Sequence, residues 1–155
     1  ECMVAHMGQY APRACFLPFL AELERAGLPF VLVSGGLVPL VEEVLGPHRH
    51  RLDQFIAAEV LPHPSGGLRF VSPFANEQEL VAKAEVLKRF GRGRSVVIGD
   101  SITDLGMAEE ADVVFAREPL SGWLEQRGIL FHHWDSFADV EAVLRQQGLL
   151  PAAAA

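Results

Sequence analysis

The sequence predicts an α/β domain with a mostly parallel sheet and helices on both faces. Three observations carry that expectation. Short apolar runs bounded by turn residues, at Phe30–Val33, Ser95–Ile98 and Val113–Ala116, have the make-up of strands buried on both faces. Segments of helical period stand between those runs, which is the alternation of a crossover-connected parallel sheet. Half of the 155 residues are apolar and 21% are charged, a balance that supports one packed core and not a disordered chain.

The elements follow in order. Pro12–Ala26 reads as a helix, with Phe16, Phe19, Leu20 and Leu23 at helical spacing and Gly27 as its stop. Phe30–Val33 is a strand, Ser34-Gly35-Gly36 a glycine-rich turn, and Val38–Leu45 a helix ended by Gly46. His48–Asp53 is polar and reads as a loop. Phe55–Leu61 and Gly67–Val71 form a hairpin around Pro62-His63-Pro64-Ser65-Gly66, strong turn chemistry. Asn76 caps a helix expected over Glu77–Phe90, which Gly91-Arg92-Gly93 ends. Ser95–Ile98 is a strand, Leu105–Glu110 a short helix and Val113–Ala116 another strand. Leu120–Arg127 and Phe137–Gln146 close the chain as helices.

Composition excludes several classes. A net charge of −7 argues against a general nucleic-acid binder, because counterion release needs clustered cations. No apolar run is long enough to span a bilayer, and the sequence shows no signal peptide or lipidation motif, so no membrane partner is expected. Two cysteines, Cys2 and Cys15, do not make a disulfide framework, which fits a reducing cytoplasm. Residues 1–11 read as a leader or fragment boundary, residues 12–150 as the domain, and Pro151 with its four alanines as a tail.

Ligands of open α/β sheets bind at the carboxyl ends of strands. Two such ends carry polar clusters. After Phe30–Val33, Ser34, Gly35 and Gly36 offer a hydroxyl and backbone amides at a helix start, an anion site or simply a tight turn. After the Val96–Ile98 run, Gly99-Asp100-Ser101-Ile102-Thr103-Asp104 sets two carboxylates four residues apart. Carboxylates there are costly unless they meet a cation or hydrogen-bond donors. Oxygen donors of this kind suit magnesium; the plainer reading is that Asp100 or Ser101 caps the next helix. His48, His50, His132 and His133 lack the spacing that places two rings on one helix face, and read as loop or surface residues. His63 reads as a solvated turn residue, Trp123 and Trp134 as packing residues, and Arg117 as half of a surface ion pair.

Together these motifs resemble the haloacid dehalogenase (HAD) superfamily, with Ser34 matching the hydroxyl that ends its second motif and Gly99-Asp100-Ser101-x-x-Asp104 its last motif. The hairpin, at about residues 55–74, looks like the flap of the phosphoserine-phosphatase-like branch. The resemblance spans roughly residues 12–146. It implies a Rossmann-like core, a Mg2+ cofactor and hydrolysis of a small phosphorylated metabolite. It assigns substrate phosphate to Ser34, Gly35, Gly36 and Lys83, and metal to Asp100, Asp104 and Ser101. It gives Lys83 and Asp104 catalytic parts, with Lys88 as the alternative basic residue. Asp104 is read as orienting either Lys83 or a metal-bound water.

The family's first motif, Asp-x-Asp, is absent from this sequence. None of the six aspartates (Asp53, Asp100, Asp104, Asp112, Asp135 and Asp139) has a second aspartate two residues on. Asp135-Ser-Phe-Ala-Asp139, the nearest substitute, has the wrong spacing and precedes a helix. In the family the strand of that motif lies between those matched by Phe30–Val33 and Val96–Ile98. Its absence would leave two buried edges unpaired. The expectation is therefore that an upstream segment or another chain completes the sheet, and that the 155 residues alone are inactive. The alternative is a non-catalytic relative that binds a phosphate metabolite or a protein.

Overall fold

The structure is a computed structural model that describes residues 12–153. The expected leader, residues 1–11, lies outside the described residues, as do the last two alanines of the tail. The chain divides into two compact units. Among the described residues, one contains 12–31, 42–54 and 134–153; the other contains 32–41 and 55–133.

The first unit is built on aromatic packing. Helix α1 (Phe16–Ala26) buries Phe16, Phe19, Leu20 and Leu23, one face of a 3.6-residue period. It ends at Gly27, whose φ of 68° is left-handed and whose amide donates to the Glu24 carbonyl. Helix α6 (Phe137–Gln146) lays Phe137 against Phe16 and Phe19, with ring centroids 5.1 and 5.2 Å apart. Trp134 packs on Phe137 at 5.2 Å, and the Arg13 guanidinium stands over the Trp134 ring at 5.5 Å. Arg145 of α6 reaches Glu22 of α1 at 2.5 Å and Glu141 at 2.7 Å.

The second unit holds two three-stranded sheets. In the first, β1 (Val31–Leu37), β2 (Gln54–Pro62) and β3 (Leu68–Val71) lie in that spatial order. β2 and β3 form the expected antiparallel hairpin, with Glu59 opposite Val71 and Pro62 opposite Leu68. Its turn needs glycine: Gly66 and Gly67 have φ of 94° and 87°. In the second sheet, β4 (Val96–Gly99), β5 (Val113–Ala116) and β6 (His132–His133) run parallel. All four residues of β5 are buried, as its unbroken apolar composition requires. Beneath it, Val114 and Ala116 pack with Ala108 of α4 (Leu105–Glu110) and with Leu120 and Leu124 of α5 (Leu120–Gln126).

Several elements differ from the sequence reading. The strand of Phe30–Val33 does not stop at a glycine turn; β1 continues through Ser34, Gly35 and Gly36 to Leu37, and α2 (Val38–Leu45) follows at once. β1 pairs within the hairpin sheet, where β2 offers it an edge whose backbone groups need partners; it is not paired with β4, as the sequence reading expects. The helix expected from Glu77 begins at Lys83: α3 spans Lys83–Phe90. Asn76 does cap a turn, its side-chain oxygen accepting the amides of Gln78 and Glu79, but the Ala82 amide then goes to the Phe74 carbonyl at 2.8 Å and not to the carbonyl four residues back, so the ladder does not propagate. Residues 46–51 form a 3-10 segment where a loop was expected. β6 at His132–His133 went unpredicted, since two polar residues carry no strand signal, and the His132 ring packs on Phe115 at 5.3 Å. Trp123 is 41% exposed under Arg127, unlike buried Trp134.

The start of the parallel sheet is clamped by a carboxylate. Asp112 Oδ2 accepts from the Ser95 amide at 2.7 Å and the Ser95 hydroxyl at 2.9 Å, which holds its carboxyl below the ordinary aspartate range. A lowered folded-state value means stability that is present above the ordinary range near 3.8 and is lost as pH falls through the folded value. Asp112→Asn is therefore expected to lose less stability than the parent as pH drops below about 4, measured by urea unfolding at a series of pH values.

Candidate active site

The site is built at the carboxyl end of β4. The chain leaves the sheet at Gly99, extends through Asp100 and Ser101, and turns into a 3-10 segment at Ile102–Asp104. Ser101 Oγ accepts from the Thr103 amide at 3.3 Å and the Thr103 hydroxyl at 3.1 Å. Asp104 Oδ2 accepts from the amides of Asp100 at 3.0 Å and Ser101 at 2.9 Å. This is a capping box, so the plain helix-cap reading of Ser101 holds.

The local cap does not explain everything about Asp104. Its other oxygen, Oδ1, accepts from Lys83 Nζ at 2.5 Å, and both side chains are buried. Two opposite charges withdrawn from water need each other and further donors. Asp104 has them: one ammonium and two amides occupy its two oxygens. Lys83 is the first residue of α3, so the helix start and the ion pair aim its ammonium at the β4 end. An ammonium has three donors, and Asp104 Oδ1 takes one.

Lys88, the alternative basic residue, is placed differently. It lies exposed between Glu85 at 3.0 Å and Glu110 at 3.3 Å, and the Glu85 carboxylate first, then Glu110, raises its pKa above the ordinary lysine value.

Gly99 is required by close approach. A Cβ there would stand 2.6 Å from Asp104 Oδ2 and 2.9 Å from its Cβ. Asp100 is different from Asp104: its side chain is 36% exposed, and Oδ2 lies 3.9 Å from Arg117 Nε. Its carbonyl accepts from the Leu120 amide at 3.3 Å. Arg117 is thus in an ion pair, as the sequence suggested, but its partner is a site aspartate that sequence reasoning did not connect to it.

The structure brings Lys83, Asp100, Ser101 and Asp104 together. Ser34, Gly35 and Gly36 lie in the other sheet, on β1. There the Gly36 amide donates to Ser34 Oγ at 3.0 Å, which leaves the hydroxyl proton to donate elsewhere. Among the described residues, no three of His, Cys, Asp or Glu gather as a metal cage. Magnesium does not need one, since it is commonly held by one or two carboxylates, waters and a substrate phosphate. A partly exposed Asp100 beside a strand end fits that donor set; Asp104, with both oxygens taken, and Ser101 Oγ, with two donors on it, are already engaged.

A parallel sheet with a buried lysine–aspartate pair and a partly exposed aspartate at a strand's carboxyl end sets a polar site where open α/β folds bind ligands. The profile of the family described as "haloacid dehalogenase-like hydrolase" matches residues 4–109, and the chain belongs to that family. A 2-hydroxy-3-keto-5-methylthiopentenyl-1-phosphate phosphatase of Microcystis aeruginosa is 38% identical over 128 residues, 81% of this chain and 60% of its own. The phosphatase of the same name from Geobacillus kaustophilus is 32% identical, over 89% of this chain and 65% of its own. The chain thus spans less than two thirds of the length of these relatives. Among solved structures, phosphoserine phosphatase from T. onnurineus in complex with NDSB-201 superposes with a TM-score of 0.54 at 27% identity, covering 82% of this chain and 56% of that one.

Two stability outcomes follow from the packing. Gly99→Ala drives a methyl into an anchored carboxylate and is expected to cost about 1–3 kcal/mol, read as a lower urea midpoint. Lys83→Met leaves Asp104 charged and buried with only its two amides, and is expected to cost about 3 kcal/mol. An unchanged midpoint for Lys83→Met would show that the pair is not buried in solution.

Proposed function

We propose that the protein is a magnesium-dependent phosphomonoester hydrolase of the cytoplasm acting on a small phosphorylated metabolite. In this reading the present chain supplies the phosphate- and metal-facing part. The Asp-x-Asp nucleophile comes from an upstream segment or another chain that completes the sheet. The observation that carries the reading is the buried Lys83–Asp104 pair tied by two amides to Asp100 and Ser101. The names of the two bacterial relatives make 2-hydroxy-3-keto-5-methylthiopentenyl-1-phosphate the first substrate to test.

Each residue has a part. Lys83 places its remaining ammonium donors on a phosphoryl oxygen, in an orientation that Asp104 sets. Of the alternatives for Asp104, the geometry supports orienting Lys83, because both its oxygens are spoken for. The Ser34 hydroxyl proton and the Gly35 amide bind further oxygens of the same phosphate, with Gly36 holding Ser34 in place. Asp100 is the carboxylate that would hold magnesium, which, when bound, neutralises charge on the phosphoryl group. Catalysis of this kind is largely positioning and charge stabilisation.

The absence of Asp-x-Asp favours a second reading for the 155 residues, a non-catalytic phosphate-binding module. One assay separates the two. Magnesium-dependent release of phosphate is measured for the chain alone, for the chain joined to its upstream coding segment, and for the joined form carrying Asp100→Asn. The expected result is activity only in the joined form, lowered about 100-fold or more by the substitution. Hydrolysis by the chain alone, or activity of the joined form that survives Asp100→Asn, would sink the reading, and silence from the joined form would leave the binding module.

A further inference from the structure

We propose that Arg117 is a positioning residue for Asp100, a guanidinium counter-ion that a divalent cation must displace, so that Arg117 sets the affinity of the site for metal. The inference rests on the reading of Asp100 as the magnesium carboxylate and goes beyond it, since no part of the phosphatase reading uses Arg117.

Sheet register makes the juxtaposition. β4 and β5 run parallel with Gly99 opposite Ala116, so the next residue of each strand, Asp100 and Arg117, emerge side by side at the carboxyl edge. The connection after β5 is also tied to this point, because the Leu120 amide donates to the Asp100 carbonyl at 3.3 Å. Arg117 Nε then stands 3.9 Å from Asp100 Oδ2, with the two side chains 28% and 36% exposed.

That geometry is loose where the neighbouring pair is tight. Lys83 and Asp104 meet at 2.5 Å and are buried, as suits a permanent pair. Arg117 and Asp100 are each about a third exposed and stand beyond direct hydrogen-bond distance, so this contact between them is weak. A dication offers the carboxylate twice the charge at closer range and prevails. With the metal gone, the guanidinium holds the Asp100 carboxylate beside the strand end.

The test uses the chain joined to its upstream coding segment, with metal alone. Mn2+ binding is followed by electron paramagnetic resonance, and the Arg117 Nε–H signal by NMR during a Mg2+ titration. Arg117→Gln is expected to bind Mn2+ about 3- to 10-fold more tightly than the parent, the scale of one removed charge at this distance in a wet site. Arg117→Lys keeps the charge and should stay within about 2-fold of the parent. The Nε–H signal should shift with Mg2+ in the parent and stay still in Asp100→Asn, a response that a purely structural arginine would not give. Binding lost in Asp100→Asn but unchanged or weakened in Arg117→Gln would overturn the inference and leave Asp100 as a ligand. No binding by either the parent or Arg117→Gln would remove both.

Discussion

The candidate site depends on one carboxylate, that of Asp104. It closes the turn after β4 by accepting two successive amides, and it pairs with the buried ammonium of Lys83. The same oxygens therefore define the loop that carries Asp100 and the start of the helix that carries Lys83. An ion pair of this burial is weak evidence for stability, because desolvating both charges offsets most of their attraction. Its value is specificity of position: an unpaired charge in either place is costly enough that only one arrangement of β4 and α3 is acceptable.

A comparison within the chain separates what the motif does from what its surroundings do. Asp135-Ser136-Phe-Ala-Asp139 repeats the spacing of Asp100-Ser101-Ile-Thr-Asp104, and it makes the same cap: Asp139 Oδ2 accepts the amides of Asp135 and Ser136, each at 2.9 Å. The cap is local chemistry that any helix start can use. At β4 the cap sits at the carboxyl end of a strand of the parallel sheet, with Lys83 on the free oxygen and Arg117 near the preceding aspartate. Those neighbours, and not the five-residue pattern, distinguish a chemical site from a helix start.

The strand ends also show why glycine recurs there. Gly99 admits the Asp104 carboxylate at a distance that a methyl group would occupy. Gly36 admits the Ser34 hydroxyl, with an added Cβ 3.2 Å from Oγ. In both places the absence of a side chain allows an oxygen to fold back on backbone amides, which is how a short segment presents donors and carboxylates without help from distant residues.

The amino-acid order by itself determined the strand at Val96–Ile98, the fully buried strand at Val113–Ala116, the hairpin around Gly66-Gly67, the helical face of Phe16, Phe19, Leu20 and Leu23, and the acidic motif at residues 99–104. All of these rest on local signals: period, turn chemistry and unbroken apolar runs. Tertiary structure decided the rest. It started α3 only at Lys83, because the Ala82 amide goes to the Phe74 carbonyl and the Glu79 carbonyl takes the Asn76 amide, bonds that an i→i−4 ladder from Glu77 would not make. It carried β1 past its glycines into the hairpin sheet, since β2 provided an edge. It recruited His132 and His133 into β6 through pairing alone. It chose Lys83 over Lys88, and it brought Arg117 to Asp100, because contacts between residues far apart in the chain are made by strand register and packing, which no local pattern encodes.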